Sequence, residues 1–512
     1  MQPDTFTSLI KATCHQFTDK TAIQFYCHGK LETILTYEQL DQDTHQMAHY
    51  FLSMGVKKGD RVILLIQKSV IFMVAHLALQ KIGAICVPLN PGFKASEISY
   101  FMEDAEPVLI LAGTEQSTLV HQINSKIALV SVHQNKPYGQ LTFFRSNTKE
   151  DLTVKTYPSD PALIIYTSGT TGKPKGAVLT QDNLLQDIRN IQETWDITAD
   201  DVMCHALPLF HIHGLCFALH TCLASGAKIL MLDAFNAQTV VKILSNTSEP
   251  DICSLFMAVP AMYSLLINYI GASHVGEEAI DFGHLRLITS GSAPLLIKDF
   301  KLITEIWGQE PVEREGMSET GMNFSNPLKG IKKPGTIGLP LPQIQVRVVN
   351  PENFADVEPG QTGEFWLKSP AVTPGYWQKP KETKKTFVDG WFKTGDLGYM
   401  DEDGYYYLTD RIKNIIISGG ENISPKEIES VIDQLEAIVE SAVIGIKDDQ
   451  WGEKVVAAIA LRHEGVIAEQ VVFDHCKVHL HPWKCPKQII FVNALPKNTM
   501  GKVLTDQVRL LF

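Results

Sequence analysis

The 512-residue sequence lacks the cysteine pattern of a disulfide-stabilised secreted protein. Its nine cysteines are scattered and odd in number, and no two of them form a Cys-x-x-Cys pair. Such a pattern favours reduced thiols in a reducing compartment. Residues 1–5 carry neither the basic stretch nor the apolar run of a signal peptide. We therefore expect a cytoplasmic protein.

Long apolar runs and an excess of positive charge are also missing. The most apolar long window, residues 70–89, includes His76, Gln80 and Lys81, so it predicts a buried helix and strand and no integral membrane segment. The formal net charge is −12 at neutral pH, which argues against a nucleic-acid partner because such partners require basic surfaces. A chain of this length is expected to form two or more domains.

Histidine-based metal sites and hydrolase sites are disfavoured as well. Histidines cluster at residues 205–220 and 475–481, but without acidic or cysteine partners at the spacing of a zinc motif. Neither a nucleophile elbow nor a Ser-His-Asp arrangement is readable, so the sequence does not support hydrolase chemistry.

From Arg61 onward, short apolar strands alternate with amphipathic helices. This alternation predicts an α/β fold of doubly wound, mixed but largely parallel sheets, with helices on both faces. We also expect a loop at residues 313–326 and a small antiparallel β subdomain at residues 336–367. The predicted strands cover residues 62–66, 84–89, 108–111, 162–165, 229–232, 252–259 and 285–288, and the predicted helices residues 70–82, 97–105, 184–195, 240–244 and 295–307.

A domain boundary is predicted after Asp410. It divides the chain into a large N-terminal domain, residues 1–410, and a small α+β domain, residues 411–512. In the small domain, Ser424, Pro425 and Glu427 form a capping-box signal for the helix that follows.

A stretch rich in hydroxyls, glycines and lysines follows the predicted strand at residues 162–165. Glycines let the backbone curl around an anion, hydroxyls donate hydrogen bonds and lysines supply positive charge, so the stretch predicts a phosphate-binding loop. It is not a Walker A loop, because the glycine spacing differs and Pro174 follows Lys173. The residues of the loop are Thr167, Ser168, Gly169, Thr170, Thr171, Gly172 and Lys173.

A candidate metal ligand follows the predicted helix at residues 295–307. Glu319 lies in a segment that comes directly after a strand–helix unit, where α/β sheets place their ligands. Because Mg²⁺ bound to a triphosphate needs only one or two protein carboxylates, this single glutamate is sufficient for a Mg²⁺ site.

The phosphate-binding loop and the Glu319 segment, in this order, resemble two motifs of the adenylate-forming enzymes. These comprise acyl-CoA synthetases, luciferases and the adenylation domains of peptide synthetases. The resemblance covers nearly the whole chain, and residues 290–294, 394–398, 410–422 and 496–502 are similar to further motifs of that family. It implies that a carboxylate attacks the α-phosphorus of MgATP to give an acyl-adenylate. The thiol of coenzyme A then displaces AMP after a mobile C-terminal domain has swung.

The resemblance also implies which residues bind ATP and coenzyme A. Lys413 matches the hinge position, and Ser418, Gly419 and Gly420 match the segment that the pantetheine arm passes. Thr167, Glu319 and Lys502 are implied to be catalytic, with Glu319 as the Mg²⁺ ligand and Lys502 stabilising the negative charge that grows during adenylation. The implied ATP-binding residues are Thr167, Ser168, Gly169, Thr170, Thr171, Gly172, Lys173, Ser292, Ala293, Pro294, Gly316, Met317, Ser318, Asp396 and Arg411.

Glu315 departs from the family pattern. The family usually has an aromatic residue at this position, immediately before the glycine, and that residue stacks on adenine. Loss of a base–aromatic stack costs about 1–3 kcal/mol, so the nucleotide affinity or the choice of base could differ.

The carboxylate substrate is a narrower question. Adenylation domains of peptide synthetases usually hold the substrate amine with an aspartate shortly after the acyl-pocket segment, whereas residues 213–216 contain no acid. A free-standing CoA ligase is therefore favoured, with His211, His213 and Ser290 in the acyl site. Residues 210–215, 286–295 and 319–327 look similar to malonyl-CoA synthetases. Arg286 is our candidate for a bidentate pair with the second carboxylate of malonate or another short dicarboxylate.

Two alternatives remain open. The substrate could be a medium- or long-chain fatty acid, in which case Arg286 would make only a surface or structural ion pair. An alternative of another class is a degenerate homologue that binds nucleotide or acyl groups without turnover. The retention of Lys502, Glu319 and Asp396 argues against it, because a protein that only binds need not keep them.

Overall fold

The computed structural model of the protein describes residues 3–133, 136–145, 152, 154–167, 173–248, 252–273, 280–418, 421–448, 451–462, 467–498 and 501–512. The strands are β1 (Thr21–Cys27), β2 (Lys30–Thr36), β3 (Arg61–Leu65), β4 (Ile85–Pro88), β5 (Leu109–Gly113), β6 (Ala128–Val132), β7 (Pro161–Thr167), β8 (Lys175–Thr180), β9 (Val202–His205), β10 (Lys228–Leu232), β11 (Leu255–Ala258), β12 (Leu287–Ser290), β13 (Val312–Met317), β14 (Gly321–Ser325), β15 (Leu339–Pro340), β16 (Gln345–Val349), β17 (Gly363–Lys368), β18 (Gly375–Tyr376), β19 (Phe387–Val388), β20 (Trp391–Met400), β21 (Tyr406–Arg411), β22 (Ile416–Ser418), β23 (Glu421–Ile423), β24 (Ile438–Asp448), β25 (Gly452–Leu461) and β26 (Gln488–Val492).

The α-helices are α1 (Phe6–Gln16), α2 (Tyr37–Ser53), α3 (Val70–Lys81), α4 (Ala95–Ala105), α5 (Thr114–Ile123), α6 (Gln181–Trp195), α7 (Thr221–Ala224), α8 (Ala237–Leu244), α9 (Pro260–Ser273), α10 (Ile297–Trp307), α11 (Pro380–Thr386), α12 (Pro425–Ile432), α13 (Glu469–His479) and α14 (Thr505–Arg509). Tyr138–Gln140 and Ile412–Asn414 form 3₁₀-helices, and His213–His220 forms a π-helix. The helices and strands predicted from residue 61 to residue 307 are all present, with shifted ends.

The chain divides into two compact units. The first comprises Met1–Gln345 and Lys368–Phe392, and the second comprises Val346–Leu367 and Lys393–Phe512. This division differs from the boundary expected after Asp410, because residues 346–367 and 393–410 pack with the C-terminal residues. Asp410 shows why: its Oδ2 accepts hydrogen bonds from the Ser424 hydroxyl at 2.7 Å and from the Lys426 backbone nitrogen at 3.2 Å.

Two large mixed sheets form the framework of the first unit. One has the strand order β15-β14-β13-β12-β11-β9-β10-β1-β2 and is parallel from β13 to β1, with antiparallel strands at both edges. The other has the order β18-β8-β7-β4-β3-β5-β6 and is parallel from β7 to β6. This α/β architecture with mixed sheets confirms the predicted fold class.

Helix α3 accounts for the most apolar window of the sequence. All of its residues from Val70 to Gln80 are buried, so its hydrophobic surface is covered on every side by protein. No helix in the described parts of the chain is long and apolar enough to cross a membrane. The cytoplasmic location stays a prediction.

The structure corrects the loop predicted at residues 313–326. Strands β13 and β14 form an antiparallel hairpin there, with an irregularity in the pairing between Glu315 and Gly316. The alternation of a strand is hidden in the sequence because these strands bury polar and charged side chains, among them Arg314 and Asn323. As a result, the turn between the strands places Glu319 at the edge of the large sheet.

The second unit contains two sheets. Strands β16, β17 and β20 lie side by side with β21 next to β20. Of these, only β16 and β17 fall within the subdomain predicted at residues 336–367, whereas β15 joins the large sheet of the first unit. The other sheet has the order β23-β22-β25-β24, with β26 parallel to β25. Helices α12 and α13 bury Ile428, Ile432 and Val472 in its core. Helix α12 begins at Pro425 with Ser424 as its N-cap, as the capping signal predicted.

Candidate active site

Thr167 and Glu319 meet in the first unit although 152 positions separate them in sequence. Thr167 is the last residue of β7, and its hydroxyl donates to Glu319 Oε1 at 3.1 Å. Tyr376, on the edge strand β18, donates to the same oxygen at 3.1 Å. The structure therefore joins the start of the predicted phosphate-binding loop to the predicted Mg²⁺ ligand, and the two hydroxyls fix the orientation of the carboxylate.

The rest of the phosphate-binding loop is only partly described. Ser168, Gly169, Thr170, Thr171 and Gly172 lie outside the described residues. Lys173 is exposed, and its Nζ lies 5.3 Å from the centroid of the Tyr100 ring. The Nζ of Lys175, the next lysine along the chain, lies 5.4 Å from the Tyr376 ring. Lys175 therefore lies against the tyrosine whose hydroxyl donates to Glu319.

The surroundings of Glu319 suit a hard cation. The residue is only 7% exposed, yet its carboxylate accepts hydrogen bonds from neutral hydroxyls alone among the described residues and forms no ion pair with them. Mg²⁺ favours carboxylate oxygen and usually keeps water and substrate phosphate as its other ligands. Ser318, the other polar residue of this turn, is half-buried.

The predicted acyl-site residues His213 and Ser290 lie beside the loop that follows β12. His213 begins the π-helix, and its Nδ1 lies 3.2 Å from Ser292 Oγ. Within the described part of the chain, neither His213 Nε2 nor Ser290 Oγ has a hydrogen-bond partner, although both atoms are buried. Burial lowers the pKa of His213 well below its usual value and that of His211 to about 4, so both rings are neutral at pH 7.

Arg314 lies in the same region and was not predicted as a site residue. Its guanidinium carbon is 5.2 Å from the centroid of the Phe217 ring, and a Cβ at Gly291 would lie only 2.6 Å from that carbon. Arg314 is 4% exposed, and its Nε and Nη2 have no hydrogen-bond partners among the described residues. Burial lowers its pKa to about 10, against the charges of Glu315 and Asp187, so the side chain stays protonated at pH 7.

Arg286 does not line this site, which corrects its predicted role. Its Nε and Nη2 donate to the two carboxylate oxygens of Asp201 at 2.7 and 2.5 Å. Its Nη1 donates to Trp195 O at 2.9 Å, and Nη2 also donates to Asp196 O at 2.8 Å. Arg286 precedes β12, at the amino end of the strand, whereas Ser290 ends the same strand. Its donors are engaged in a structural ion pair, so it is not available to a substrate.

Two candidate site residues, Arg314 and Tyr376, were not predicted from the sequence, for different reasons. Arg314 fell in a segment predicted to be a polar loop, and only its place directly before the Glu315–Glu319 segment could have drawn attention to it. Tyr376 belongs to a two-residue strand far from any motif, so no sequence signal points to its contact with Glu319.

Glu315 occupies the position where an aromatic residue was expected. It is half-buried, and its Oε2 accepts a hydrogen bond from Asn323 Nδ2 at 3.1 Å across the β13–β14 hairpin. Its charge also helps to stabilise the protonated form of Arg314. Ala293 and Pro294, which match the adenine strip, are half-buried and exposed respectively.

Asp396 and Arg411 form an ion pair in the second unit. The two residues are opposite each other on β20 and β21, and Arg411 Nε lies 2.6 Å from Asp396 Oδ1. The Asp396 backbone nitrogen donates to the Thr394 hydroxyl at 3.0 Å, which fixes the turn before it. Burial raises the pKa of Asp396, while the charges of Arg411 and Lys502 act in the opposite direction.

Lys502 lies near this ion pair. Although Lys502 is exposed, the surrounding protein and then the positive charges of Arg411 and Lys413 lower its pKa to about 8. The pKa of Lys413 is lowered by burial and then by Arg411. Ser418 ends β22, and Gly419 and Gly420 lie outside the described residues. The second unit thus gathers Asp396, Arg411, Lys413 and Lys502 around one cationic site.

Comparison with known proteins places these sites in a family. Residues 10–377 match the AMP-binding enzymes, and residues 427–502 match the C-terminal domain of AMP-binding enzymes. A mitochondrial malonate–CoA ligase of Bos taurus, ACSF3, is 35% identical over 489 residues, which cover 90% of this chain and 82% of the relative. An oxalate–CoA ligase of Arabidopsis thaliana is 32% identical, with 98% of each chain covered. The ATP-bound structure of MatB from Rhodopseudomonas palustris matches with a TM-score of 0.90 and 34% identity, over 99% of this chain and 98% of that one.

The chain belongs to the family of AMP-binding enzymes. It is an acid–thiol ligase of the adenylate-forming type: an acyl-CoA ligase that uses ATP to activate a carboxylate and transfers the acyl group to coenzyme A.

Replacement of Arg286 by Gln tests its structural role. Because Asp201 is 3% exposed, removing its partner leaves a buried carboxylate unpaired, and we expect the free energy of unfolding to fall by about 3 kcal/mol. Urea denaturation measures this loss, while the KM for the carboxylate substrate should stay within about twofold of the parent value. A large rise in that KM at unchanged stability would instead support the predicted role of Arg286 in binding the carboxylate substrate.

Proposed function

We propose that the protein is a malonyl-CoA synthetase, or a ligase of a similarly short dicarboxylate. The observation that carries this proposal is the buried guanidinium of Arg314, with Nε and Nη2 unused among the described residues. A guanidinium binds a carboxylate through two parallel hydrogen bonds, and a buried cation without such a partner is strongly unfavourable.

The neighbours of Arg314 suit the distal end of a short acid. The Phe217 ring and the backbone of Gly291 cover the guanidinium, while Ser290 and His213 contribute buried polar atoms without other described partners. A long alkyl chain would bury apolar surface against these groups and leave them unsatisfied. A second carboxylate would satisfy Arg314 instead, and the named malonate and oxalate ligases among the relatives support this choice.

The remaining residues account for the two half-reactions. Glu319 would hold Mg²⁺, which when bound offsets the negative charge of the triphosphate. Thr167, Ser168–Lys173 and Ser318 bind the phosphates, and the substrate carboxylate oxygen attacks the α-phosphorus as pyrophosphate leaves. Lys502 stabilises the charge on the pentacoordinate phosphorus.

We assign the nucleotide and coenzyme A to further residues of each unit. Asp396 and Arg411 bind the ribose and its phosphate, and Ser292, Ala293, Pro294, Gly316 and Met317 contact the adenine side. In the second half-reaction the thiol sulfur of coenzyme A attacks the acyl carbon and AMP leaves. Ser418, Gly419 and Gly420 border the pantetheine path, and Lys413 is the pivot between the two reactions.

A panel of carboxylates tests the substrate. Pyrophosphate release with MgATP and coenzyme A should be fastest with malonate, compared with oxalate, methylmalonate, acetate, octanoate and palmitate. Arg314→Met should lower kcat/KM for malonate by about 100-fold or more, because one bidentate charged pair is lost.

Arg286→Met is the matched control for this experiment, since it removes a guanidinium of the same unit that is half-buried and already paired with Asp201. It should leave the order of the substrates unchanged. A parent enzyme that prefers octanoate or palmitate, or an Arg314→Met variant that keeps full malonate activity, would contradict the dicarboxylate proposal.

The pKa of Lys502 predicts an alkaline limit for adenylation. As the pH rises through about 8, free enzyme loses the ammonium charge, so kcat/KM for ATP should fall with an apparent pKa of about 8. An arginine keeps its charge to far higher pH, so in Lys502→Arg the fall of kcat/KM should occur at higher pH, although the rate at pH 7 is lower. Lys497→Arg is the control, because Lys497 pairs with Glu440 at 2.6 Å. In this variant the pH at which kcat/KM falls should not change. An unchanged alkaline pKa in Lys502→Arg would show that another group titrates.

A further inference from the structure

Lys68 is a buried lysine near the acyl site with no role in the chemistry described above. It lies between β3 and α3 and is 9% exposed. Its Nζ donates to His205 Nδ1 at 2.8 Å and to the His205 backbone oxygen at 2.8 Å. Burial lowers the pKa of Lys68 well below its usual value. Burying a lysine side chain is energetically unfavourable, so the contacts of Lys68 indicate a role for it.

The contacts of His205 define its tautomer. Its Nε2 lies 2.8 Å from Gly214 O, and a carbonyl oxygen can only accept a hydrogen bond, so Nε2 carries the proton. Nδ1 is then the acceptor for Lys68. Burial, followed by the charge of Lys68, lowers the pKa of His205 to about 3, so the ring is neutral. The hydrogen bonds therefore run in one direction, from Lys68 through the ring to Gly214.

Gly214 connects this chain of hydrogen bonds to the acyl site. It is the second residue of the π-helix and follows His213. A Cβ at Gly214 would lie 2.1 Å from Pro208 O, so the backbone of the π-helix is packed directly on residues 207–208. The same π-helix carries Phe217, whose ring covers Arg314. π-Helical segments are rare and are often found at functional sites.

We propose that Lys68 is a positioning residue for the carboxylate pocket. Acting through His205, it holds the first turn of the π-helix and thereby sets the positions of His213 and Phe217 against Arg314. This inference rests on the proposed function only in taking the Arg314 region as the pocket for the distal carboxylate. It makes the strength of carboxylate binding depend on a lysine that does not touch the substrate.

Steady-state kinetics of Lys68→Met test the inference with the carboxylate that the parent enzyme uses best. A misplaced π-helix weakens binding of the carboxylate equally in the ground state and in the transition state. The KM for the carboxylate should therefore rise about tenfold. We expect kcat and the KM for ATP to stay within about twofold of the parent values.

Lys81→Met is the matched control, because Lys81 ends the same helix, α3, and pairs with Asp41 at 2.7 Å. We expect this variant to have a lower melting temperature and an unchanged KM for the carboxylate. An unchanged KM in Lys68→Met, or an equal rise in both variants, would overturn the inference. Because the best substrate of the parent is used, failure of the malonate assignment in the panel is seen separately.

Two substitutions of His205 cover the case in which Lys68→Met does not fold. His205→Gln keeps an amide oxygen that can accept from Lys68 and an amide nitrogen that can donate to Gly214 O, whereas His205→Leu keeps neither. We expect His205→Gln to retain a carboxylate KM within about threefold of the parent and His205→Leu to raise it about tenfold or more. Equal KM values in the two variants would show that the hydrogen bonds do not position the pocket.

Discussion

The burial of one guanidinium group, that of Arg314, constrains the whole of the proposed carboxylate pocket. Strand β13 supplies Arg314, the loop after β12 supplies Gly291, and the π-helix supplies Phe217, so three separate elements enclose one positive charge. A cation in such surroundings is stable only with negative charge close by, and Glu315 and Asp187 provide part of it without a described hydrogen bond to Arg314. If the proposed dicarboxylate site is correct, substrate specificity and the stability of this part of the fold depend on the same charge.

The same constraint explains why the π-helix beside the proposed acyl site must be held in place by contacts with the surrounding protein. The π-helix must present Phe217 at a fixed distance from Arg314, and π-helical segments are rare in proteins. Its first turn is packed against the Pro208 carbonyl and bonded to His205. The buried Lys68 completes this support, which gives a physical reason for placing a lysine where burial opposes its charge.

The sequence was sufficient where function depends on contiguous motifs. The alternation of strands and helices predicted the fold class, and the motifs singled out Thr167, Glu319, Asp396 and Arg411 as separate site residues. The structure brings Thr167 into contact with Glu319 and Asp396 into contact with Arg411. The sequence was insufficient where the outcome depends on the direction of a side chain. Arg286 and Arg314 are both arginines close to β-strands, but only the fold shows that one pairs with Asp201 and the other is buried with unused donors. Periodicity also did not predict the β13–β14 hairpin, because several of its buried residues are polar or charged.

The most direct test of the dicarboxylate site is a crystal structure with a non-hydrolysable malonyl-adenylate analogue. We predict that Nε and Nη2 of Arg314 donate to the two oxygens of the distal carboxylate at about 2.7–2.9 Å, the usual range for charged pairs. In that structure Arg286 should remain paired with Asp201. A distal carboxylate that points to solvent, or that binds elsewhere while Arg314 stays without a ligand, would contradict the assignment.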